Sequence, residues 1–237
     1  MSKYTVLIQG PLKEPSPSLE AIEGYKKYGE VIISTYTSDL FHENFPREKL
    51  KGTKVVSIDL PEIPCQYLRN QGTTFYYALR TMYNGVLQVT TPYLIKTRSD
   101  ESWSDFSPFI NEFKKQKKSL VCGNIFARAF SDFPYHIGDH IFVIKTIYLK
   151  KALEYLLSYY DKDQLPPFEH SDVAERSLCL AIMRAMGVNH DRENFLRKVK
   201  IVDINKVGKF IARWAKKDIT YENEFENHHD VYTSEDL

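Results

Sequence analysis

The segment from Pro92 to Glu101, PYLIKTRSDE, ends a short apolar run on a cluster of charges. Lys96 and Arg98 supply two cations, and Asp100 and Glu101 supply two carboxylates. Carboxylate oxygens are the ligands that a hard divalent cation prefers, and Arg or Lys offsets the charge of a phosphate. The same composition is also typical of a solvated turn that binds nothing. Two interpretations are therefore open: a site for a charged ligand, or a charged surface turn.

The elements before this segment predict where it lies. Apolar runs of strand length alternate with segments of helical spacing. The strand-like runs are Thr5–Ile8, Val31–Tyr36, Lys54–Leu60 and the run from Tyr93, and the helical segments are Leu19–Tyr28 and Phe75–Val86. This alternation predicts an α/β fold with a mostly parallel, Rossmann-type sheet flanked by helices. Ligands of such sheets bind beyond the carboxyl ends of the strands, so we expect residues 9–11, 36–39 and 97–101 to rim one crevice.

The chain after Glu101 continues the pattern less regularly. Helices are predicted at Asp105–Lys117, Ile147–Tyr160 and Asp172–Met186, and strands at Leu120–Phe126, Ile141–Ile144 and Val199–Ile204. No internal repeat and no Ser/Gly-rich linker interrupts the sequence. We therefore expect a single domain over residues 1–237, with a variable C-terminal third.

Composition narrows the functional classes. The net charge of +1 does not suggest a nucleic-acid-binding protein. Cys65, Cys122 and Cys179 are far apart among apolar neighbours, which favours reduced thiols in a reducing compartment. No signal-peptide pattern precedes the first strand, and no apolar stretch approaches the roughly 20 residues of a membrane span. These features predict a cytoplasmic protein.

An aromatic and basic stretch, Phe210–Lys217, follows the predicted last strand. Its composition favours an ordinary surface helix. The alternative is a peripheral contact with an anionic membrane, which would bring the protein to a lipid-linked partner.

Several short motifs carry a resemblance to a known class of enzymes. Asn70-Gln71-Gly72 opens a helix that contains Arg80, and the strand from Pro92 then leads to the acidic cluster. This order, over roughly residues 4 to 101, resembles nucleotide-sugar glycosyltransferases of the GT-A fold, whose corresponding strand ends in Asp-x-Asp. The fuller set TVLIQGP (5–11), KTRSD (96–100) and GDH (138–140) resembles the WavE family of lipopolysaccharide-synthesis proteins.

The resemblance implies a nucleotide-diphosphate sugar donor and suggests which residues bind it. They are Gln9, Gly10, Pro11, Tyr36, Ser38, Asn70, Gln71, Arg80 and Arg98. Tyr36 would stack on the base. The alternatives are turn chemistry for the strand ends, a helix cap for Asn70 and a surface ion pair for Arg80. Residues 1–101 would form the nucleotide-binding half, and residues 102–237 the acceptor-binding half with a C-terminal tail.

The same resemblance predicts a divalent cation, Mn²⁺ or Mg²⁺, held by Asp100 and Glu101. One residue departs from the pattern. If Asp100 matches the second Asp of Asp-x-Asp, Arg98 stands where the first should be, and a guanidinium cannot ligate a metal. Either Asp100 holds a metal while Arg98 pairs with a phosphate, or Arg98 replaces the metal.

An inverting transferase also needs a carboxylate base, because the acceptor hydroxyl must lose a proton as it attacks the sugar carbon. By resemblance Asp172 is the first candidate and Glu169 the second, since both precede a predicted helix. Asp172 with Glu175 also fits a capping box, which needs no catalytic role. Asp139, next to Gly138 in an otherwise apolar run, is the third candidate and could instead bind the acceptor.

These patterns predict an enzyme that transfers a sugar to a hydroxyl of a growing glycan, free or lipid-linked. Two alternatives stay open. A sugar nucleotidyltransferase uses a similar sheet, but its first strand is usually followed by a Gly-rich, basic loop, and here residues 10–15 are proline-rich. A non-catalytic nucleotide- or glycan-binding module would also tolerate Arg98.

Overall fold

The computed structural model describes residues 2–12, 16–43, 45, 47–60, 62, 73–115, 119–125, 127, 130–131, 133–168, 173–204, 207 and 210–212. Its strands are β1 (Tyr4–Gln9), β2 (Gly29–Tyr36), β3 (Lys54–Ile58), β4 (Tyr93–Arg98), β5 (Glu101–Trp103), β6 (Leu120–Gly123), β7 (Phe142–Lys145), β8 (Val199–Val202) and β9 (Phe210–Ala212). Its helices are α1 (Pro17–Tyr25), α2 (Thr37–Leu40), α3 (Thr73–Val86), α4 (Ser107–Lys115), α5 (Thr146–Tyr160), α6 (Ala174–Ala185) and α7 (Arg192–Lys198), with a 3₁₀ turn at Arg47–Leu50.

Seven strands form one sheet in the order β3-β2-β1-β4-β7-β6-β8. The pairs β1–β2, β1–β4, β2–β3 and β6–β8 are parallel, whereas β7 is antiparallel to both of its neighbours. The predicted mostly parallel sheet is confirmed, and its strands come from both halves of the chain. The reversal of β7 was not predicted. It has a consequence for the site, because the residues that precede β7 lie at the edge where β1 and β4 end.

Both faces of the sheet are covered by apolar side chains. Consecutive residues of a strand point to opposite faces. Leu94 therefore packs in a core cluster with α3, α5 and α6, and its neighbour Ile95 packs in a second cluster with α1 and α4. Neither residue is exposed. The near-continuous apolar runs that predicted these strands reflect this burial on both faces.

The C-terminal end of the described chain corrects one prediction. Phe210–Ala212 is a strand, β9, which pairs antiparallel with β5 directly after the charged segment. The prediction of a surface helix is therefore wrong for these three residues, and residues 213–217 lie outside the described part. Backbone pairing with β5 decides the structure here, and such a long-range partner leaves no mark in the local pattern.

The structure also bears on the cysteines and on the search for membrane-spanning helices. Cys122 and Cys179 are buried free thiols, as predicted, while Cys65 lies outside the described residues. Among the helices of the described chain, none is both long and apolar enough to cross a membrane.

Candidate functional site

A cavity of about 650 Å³ opens at the carboxyl edge of the sheet. It is lined by Gln9, Gly10, Pro11, Tyr36, Ser38, Asp39, Leu60, Thr74, Phe75, Tyr77, Ala78, Arg98, Ser99, Asp100, Asp139, Ala174 and Glu175. The ends of β1, β2 and β4 thus meet around one space, at the place where sheets of this type bind ligands. Asn70, Gln71, Glu169 and Asp172 lie outside the described residues.

Hydrogen bonds from Ser99 join the segment after β1 to the segment after β4. The Ser99 N–H donates to the Gln9 carbonyl oxygen at 2.9 Å, and the Ser99 hydroxyl donates to the Pro11 carbonyl oxygen at 2.7 Å. Gly10 between them has φ +123°, and a Cβ there would lie 2.8 Å from Ser99 Oγ. Only glycine meets both constraints easily, so the backbone at this turn closely approaches the cavity.

Asp39 fixes the adjacent loop rather than standing free in the cavity. Its Oδ2 accepts the Leu12 N–H at 3.0 Å and the Thr35 hydroxyl at 2.7 Å. The segment after β1 and the segment after β2 are therefore held together by one buried carboxylate.

Arg98, the residue that departs from Asp-x-Asp, forms a bidentate pair with Asp100. Its Nε and one terminal nitrogen each lie 2.9 Å from a different Asp100 oxygen. The Arg98 guanidinium also lies 3.5 Å from Glu101 Oε1 and from Asp139 Oδ1. Burial opposes the charge on Asp100, but the hydrogen bonds from Arg98 outweigh it and lower the pKa of Asp100. Both groups are therefore charged at neutral pH.

Lys96 lies on the same strand with no exposed surface and contacts Asp139. Its ammonium donates to the Asp139 carbonyl oxygen and lies 3.8 Å from Asp139 Oδ2. Burial lowers the pKa of Lys96. Burial also acts against ionised Asp139, but the charges of Lys96, His140 and Arg98 prevail and lower the pKa of that carboxyl. The reversed strand β7 makes this contact, because it pairs Phe142 with Lys96.

Glu101 is fully buried and contacts the imidazole of His140 through Oε1 and Nδ1. The other ring nitrogen of His140 lies 3.8 Å from Asp139 Oδ1. His140 is 4% exposed, so the Glu101–His140 pair is buried beside the Arg98, Asp100 and Asp139 side chains that line the cavity.

The described side chains do not form a ready cation site. Both Asp100 oxygens accept hydrogen bonds from Arg98, and Glu101 is turned to His140. Within the part of the chain that the structure describes, no group of three or more His, Cys, Asp or Glu side chains is arranged to hold a metal ion. A cation at Asp100 would share that carboxylate with the Arg98 guanidinium, whose positive charge opposes it.

Glu175, on the first turn of α6, also lines the cavity. Burial raises the pKa of Glu175, and the negative charge of Asp139 adds to this rise. The positive end of a helix normally favours an ionised carboxylate, so burial and Asp139 outweigh the helix dipole here. His136 Nε2 lies 3.9 Å from Glu175 Oε2.

The sequence did not predict a site role for Glu175. Its spacing from Asp172 also fits a capping box, the alternative to a catalytic Asp172, but Val173 takes the N-cap position and makes no side-chain cap. An acidic residue in the first helical turn was the only signal. Its position at the cavity depends on the loop before β7, which is distant in sequence.

Two residues predicted to bind the nucleotide occupy less open positions. Tyr36 is 8% exposed, and its ring meets Tyr77 edge-on at 6.2 Å, although it lines the cavity. Arg80 does not line the cavity. It forms an ion pair with Asp161 and donates to the Tyr76 hydroxyl at 2.8 Å, which ties α3 to the end of α5.

No known family model matches the sequence, and no curated protein is detectably similar to it in sequence. In structure, the chain is similar to glucosyl-3-phosphoglycerate synthase from Mycobacterium tuberculosis, with a TM-score of 0.50 and 12% identity over 89% of this chain and 71% of that one. That enzyme was crystallised with Mn²⁺, UDP and glucosyl-3-phosphoglycerate.

Two further structures are similar at slightly lower scores. S. aureus TarS in complex with UDP has a TM-score of 0.48 and 11% identity over 88% of this chain and 59% of that one. The 4-diphosphocytidyl-2C-methyl-D-erythritol synthase from Anaerococcus prevotii has a TM-score of 0.49 and 11% identity over 92% and 91%. At such identities the likeness establishes the fold alone, a GT-A/Rossmann-like sheet flanked by helices.

Proposed function

We propose that the protein is a glycosyltransferase that moves a sugar from a nucleotide-diphosphate donor to a hydroxyl of a glycan. One observation carries the proposal: a guanidinium, Arg98, and a carboxyl with a raised pKa, Glu175, line the same cavity at the carboxyl edge of the sheet. Transfer with inversion at the sugar carbon uses both groups. A cation must stabilise the departing diphosphate, and a base must take the proton of the incoming hydroxyl.

The donor would lie along the β1 and β2 end of the cavity. Gln9, Gly10 and Pro11 would face the nucleoside, with Ser38 and the edge of the Tyr36–Tyr77 pair beside it. Gly10 lines the cavity, and the Ser99 side chain fills the space that a Cβ at this turn would need. We keep these residues as the proposed nucleotide-binding set.

Arg98 would stabilise the diphosphate as it leaves. Although burial acts against its charge, hydrogen bonding to Asp100 and the nearby Glu101 and Asp139 carboxylates raise the pKa of Arg98, so the guanidinium stays charged. Two of its five N–H groups point to Asp100 and its Nη1 lies 3.5 Å from Asp139, so the N–H groups that are left would donate to phosphate oxygens. The negative charge that develops on the leaving group would be stabilised by a cation that is already in place.

Glu175 is a better candidate for the base than Asp139. A carboxylate with a lowered pKa, such as Asp139, binds a proton weakly and is a poor acceptor for one. Glu175 has a raised pKa and lines the same cavity as Arg98 and Asp139. We therefore assign Glu175 to proton removal and Asp139 to holding Arg98 and Lys96. Asp172 and Glu169, outside the described residues, stay candidates by resemblance.

The Mn²⁺ or Mg²⁺ ion stays a prediction, since Asp100 and Glu101 are engaged with other side chains. Turnover that persists unchanged in excess EDTA would contradict it. The Asp100→Ala variant sharpens the question: it removes the predicted ligand and also frees Arg98. Loss of turnover together with loss of any Mn²⁺ stimulation supports a ligand role, whereas weakened donor binding without EDTA sensitivity supports the positioning of Arg98.

The resemblance to lipopolysaccharide-synthesis proteins motivates the proposed acceptor, a surface glycan, free or lipid-linked. A thermal-shift screen of nucleotide sugars, with and without Mn²⁺, tests donor binding directly, because a ligand stabilises the folded state that binds it. We expect at least one nucleotide-diphosphate sugar to raise the melting temperature in the wild type and not in Arg98→Ala. Equal shifts in the two proteins would contradict the role of Arg98.

A further inference from the structure

Phe133, in the loop at residues 133–138, is partly exposed and lies beside the buried Arg176. Phe133 is 43% exposed. The guanidinium carbon of Arg176 lies 4.9 Å from the centre of its ring, and the ring of His136 is 6.3 Å away, edge-on. Arg176 itself is only 7% exposed. The ring is therefore held by its neighbours while part of its surface stays open to solvent.

The loop is anchored at two residues that follow Phe133, Tyr135 and Gly138. Tyr135 has φ +63°, which is rare for a bulky side chain, and its ring packs 5.0 Å from Phe130 and 5.9 Å from Phe195. Gly138 passes so close to the backbone that a Cβ would lie 2.1 Å from the Ile125 carbonyl oxygen. Unusual backbone geometry of this kind persists only where the surroundings impose it, and it is concentrated at functional sites.

The same loop connects Phe133 to the proposed base. His136 contacts the ring of Phe133 on one side and lies 3.9 Å from Glu175 on the other. The chain then leads directly to Asp139, which lines the cavity. Phe133 and His136 are not among the residues that line the cavity, so the partly exposed ring lies outside it, with the His136 side chain between the ring and Glu175.

We propose that Phe133 is a stacking platform for the acceptor. The acceptor is a carbohydrate whose ring lies with its C–H face on Phe133 while one of its hydroxyls reaches Glu175. This rests on the proposed function, whose acceptor it specifies. The face of an aromatic ring is electron-rich and attracts the polarised C–H groups of a sugar. An apolar surface beside a few fixed polar groups is the usual composition of a small-molecule site. An acyclic hydroxyl compound would leave the ring uncovered.

Saturation-transfer difference NMR with a set of methyl glycosides, and with glycerol as the acyclic comparison, tests this inference. The wild type should transfer saturation mainly to C–H protons on one face of a pyranoside. Phe133→Ala should reduce that signal about three- to tenfold, the size expected for one aromatic contact. Phe133→Trp should retain it. Ile147→Ala is the matched control, since Ile147 is 50% exposed and begins α5 at the opposite edge of the sheet.

Wild-type signals in Phe133→Ala, or glycerol signals as strong per proton as those of the glycosides, would overturn the platform. Release of nucleoside diphosphate from nucleotide sugars, measured on the same samples, separates this failure from failure of the proposed function. Glycoside signals that depend on Phe133 without any such release would support the subsite and contradict the transferase. Release with glycoside signals that are independent of Phe133 would overturn the subsite alone.

Discussion

Carboxyls on two walls of the cavity have opposite pKa shifts. We call the wall formed by Arg98, Asp100 and Asp139 the strand wall, and the wall formed by the first turn of α6 the helix wall. On the strand wall, Asp100 and Asp139 face Arg98 and Lys96, and their pKa values are lowered. On the helix wall, burial and the charge of Asp139 raise the pKa of Glu175. Pairs of carboxyls whose environments push their pKa values apart identify different roles in a site. In the proposed function the strand wall holds the charged donor, whereas the helix wall accepts a proton.

The largest expected effect is on the helix wall. Glu175→Gln keeps the shape of the side chain but removes the proton acceptor, so we expect kcat to fall by about 10²–10⁴-fold. Because the folded-state pKa of Glu175 is raised, its stabilising contribution is present below pH 4.5 and is lost as pH rises through the folded pKa. At neutral pH the variant should therefore melt no lower than the wild type. Wild-type turnover in this variant would remove Glu175 from the mechanism.

The next effect lies on the strand wall and concerns stability. Asp139→Asn removes the carboxylate near the fully buried Lys96, so we expect a loss at the lower end of the roughly 3–5 kcal/mol typical of a broken buried pair. The contact with the Asp139 carbonyl oxygen remains, which limits the loss. Urea unfolding at neutral pH measures it.

The control for Asp139→Asn is the double variant with Lys96→Met, which removes the uncompensated cation. It should recover most of the lost stability. Since the folded-state pKa of Asp139 is lowered, the contribution of this carboxylate is present above pH 3.8 and is lost as pH falls through the folded pKa. A double variant no more stable than the single one would contradict the pairing.

A pH–rate profile tests whether the charge of Asp139 on the strand wall affects the pKa of Glu175 on the helix wall. Turnover should fall at low pH as Glu175 gains a proton, with a midpoint above the 4.5 of an ordinary glutamate. Because the Asp139 charge contributes to that rise, Asp139→Asn should move the limb to lower pH. A limb at the same pH in both proteins would show that the walls are not electrostatically coupled.

The smallest effect is expected away from both walls. Arg80 and Asp161 are each about a third exposed, and such ion pairs contribute about 0–1 kcal/mol. Arg80→Ala should therefore lower the unfolding free energy by that amount and leave donor affinity unchanged. A marked loss of donor affinity would restore the role in nucleotide binding that the resemblance implied.

The local pattern predicted the elements better than their neighbours. The β-branched runs at Val31–Ile33 and Ile141–Ile144 predicted strands, because such side chains fit a sheet that is covered on both faces. The direction of β7 was not predictable, since a continuous apolar run carries no sign of strand direction. That direction decides where Asp139 lies, so the strand wall could be predicted only in part, from β4.

The helix wall was harder to predict. Glu175 looked like part of a helix cap, and its raised pKa depends on burial and on Asp139, a residue 36 positions earlier in the chain. Arg80 shows the opposite case: the resemblance implied a ligand, whereas its partner in the fold is Asp161, directly after α5. Burial and charge partners are properties of the assembled fold, and short motifs do not contain them.

The most direct test of the central claim is the product that the protein releases from a nucleotide-diphosphate sugar. We predict that the wild type, given its best donor from the thermal-shift screen and a methyl glycoside, releases nucleoside diphosphate and forms a disaccharide product. Glu175→Gln should bind the donor and release almost none. Release of pyrophosphate from a nucleoside triphosphate and a sugar phosphate would identify a nucleotidyltransferase instead. Donor binding with no release across the acceptor panel would identify a binding module, and either result would contradict the proposed transfer.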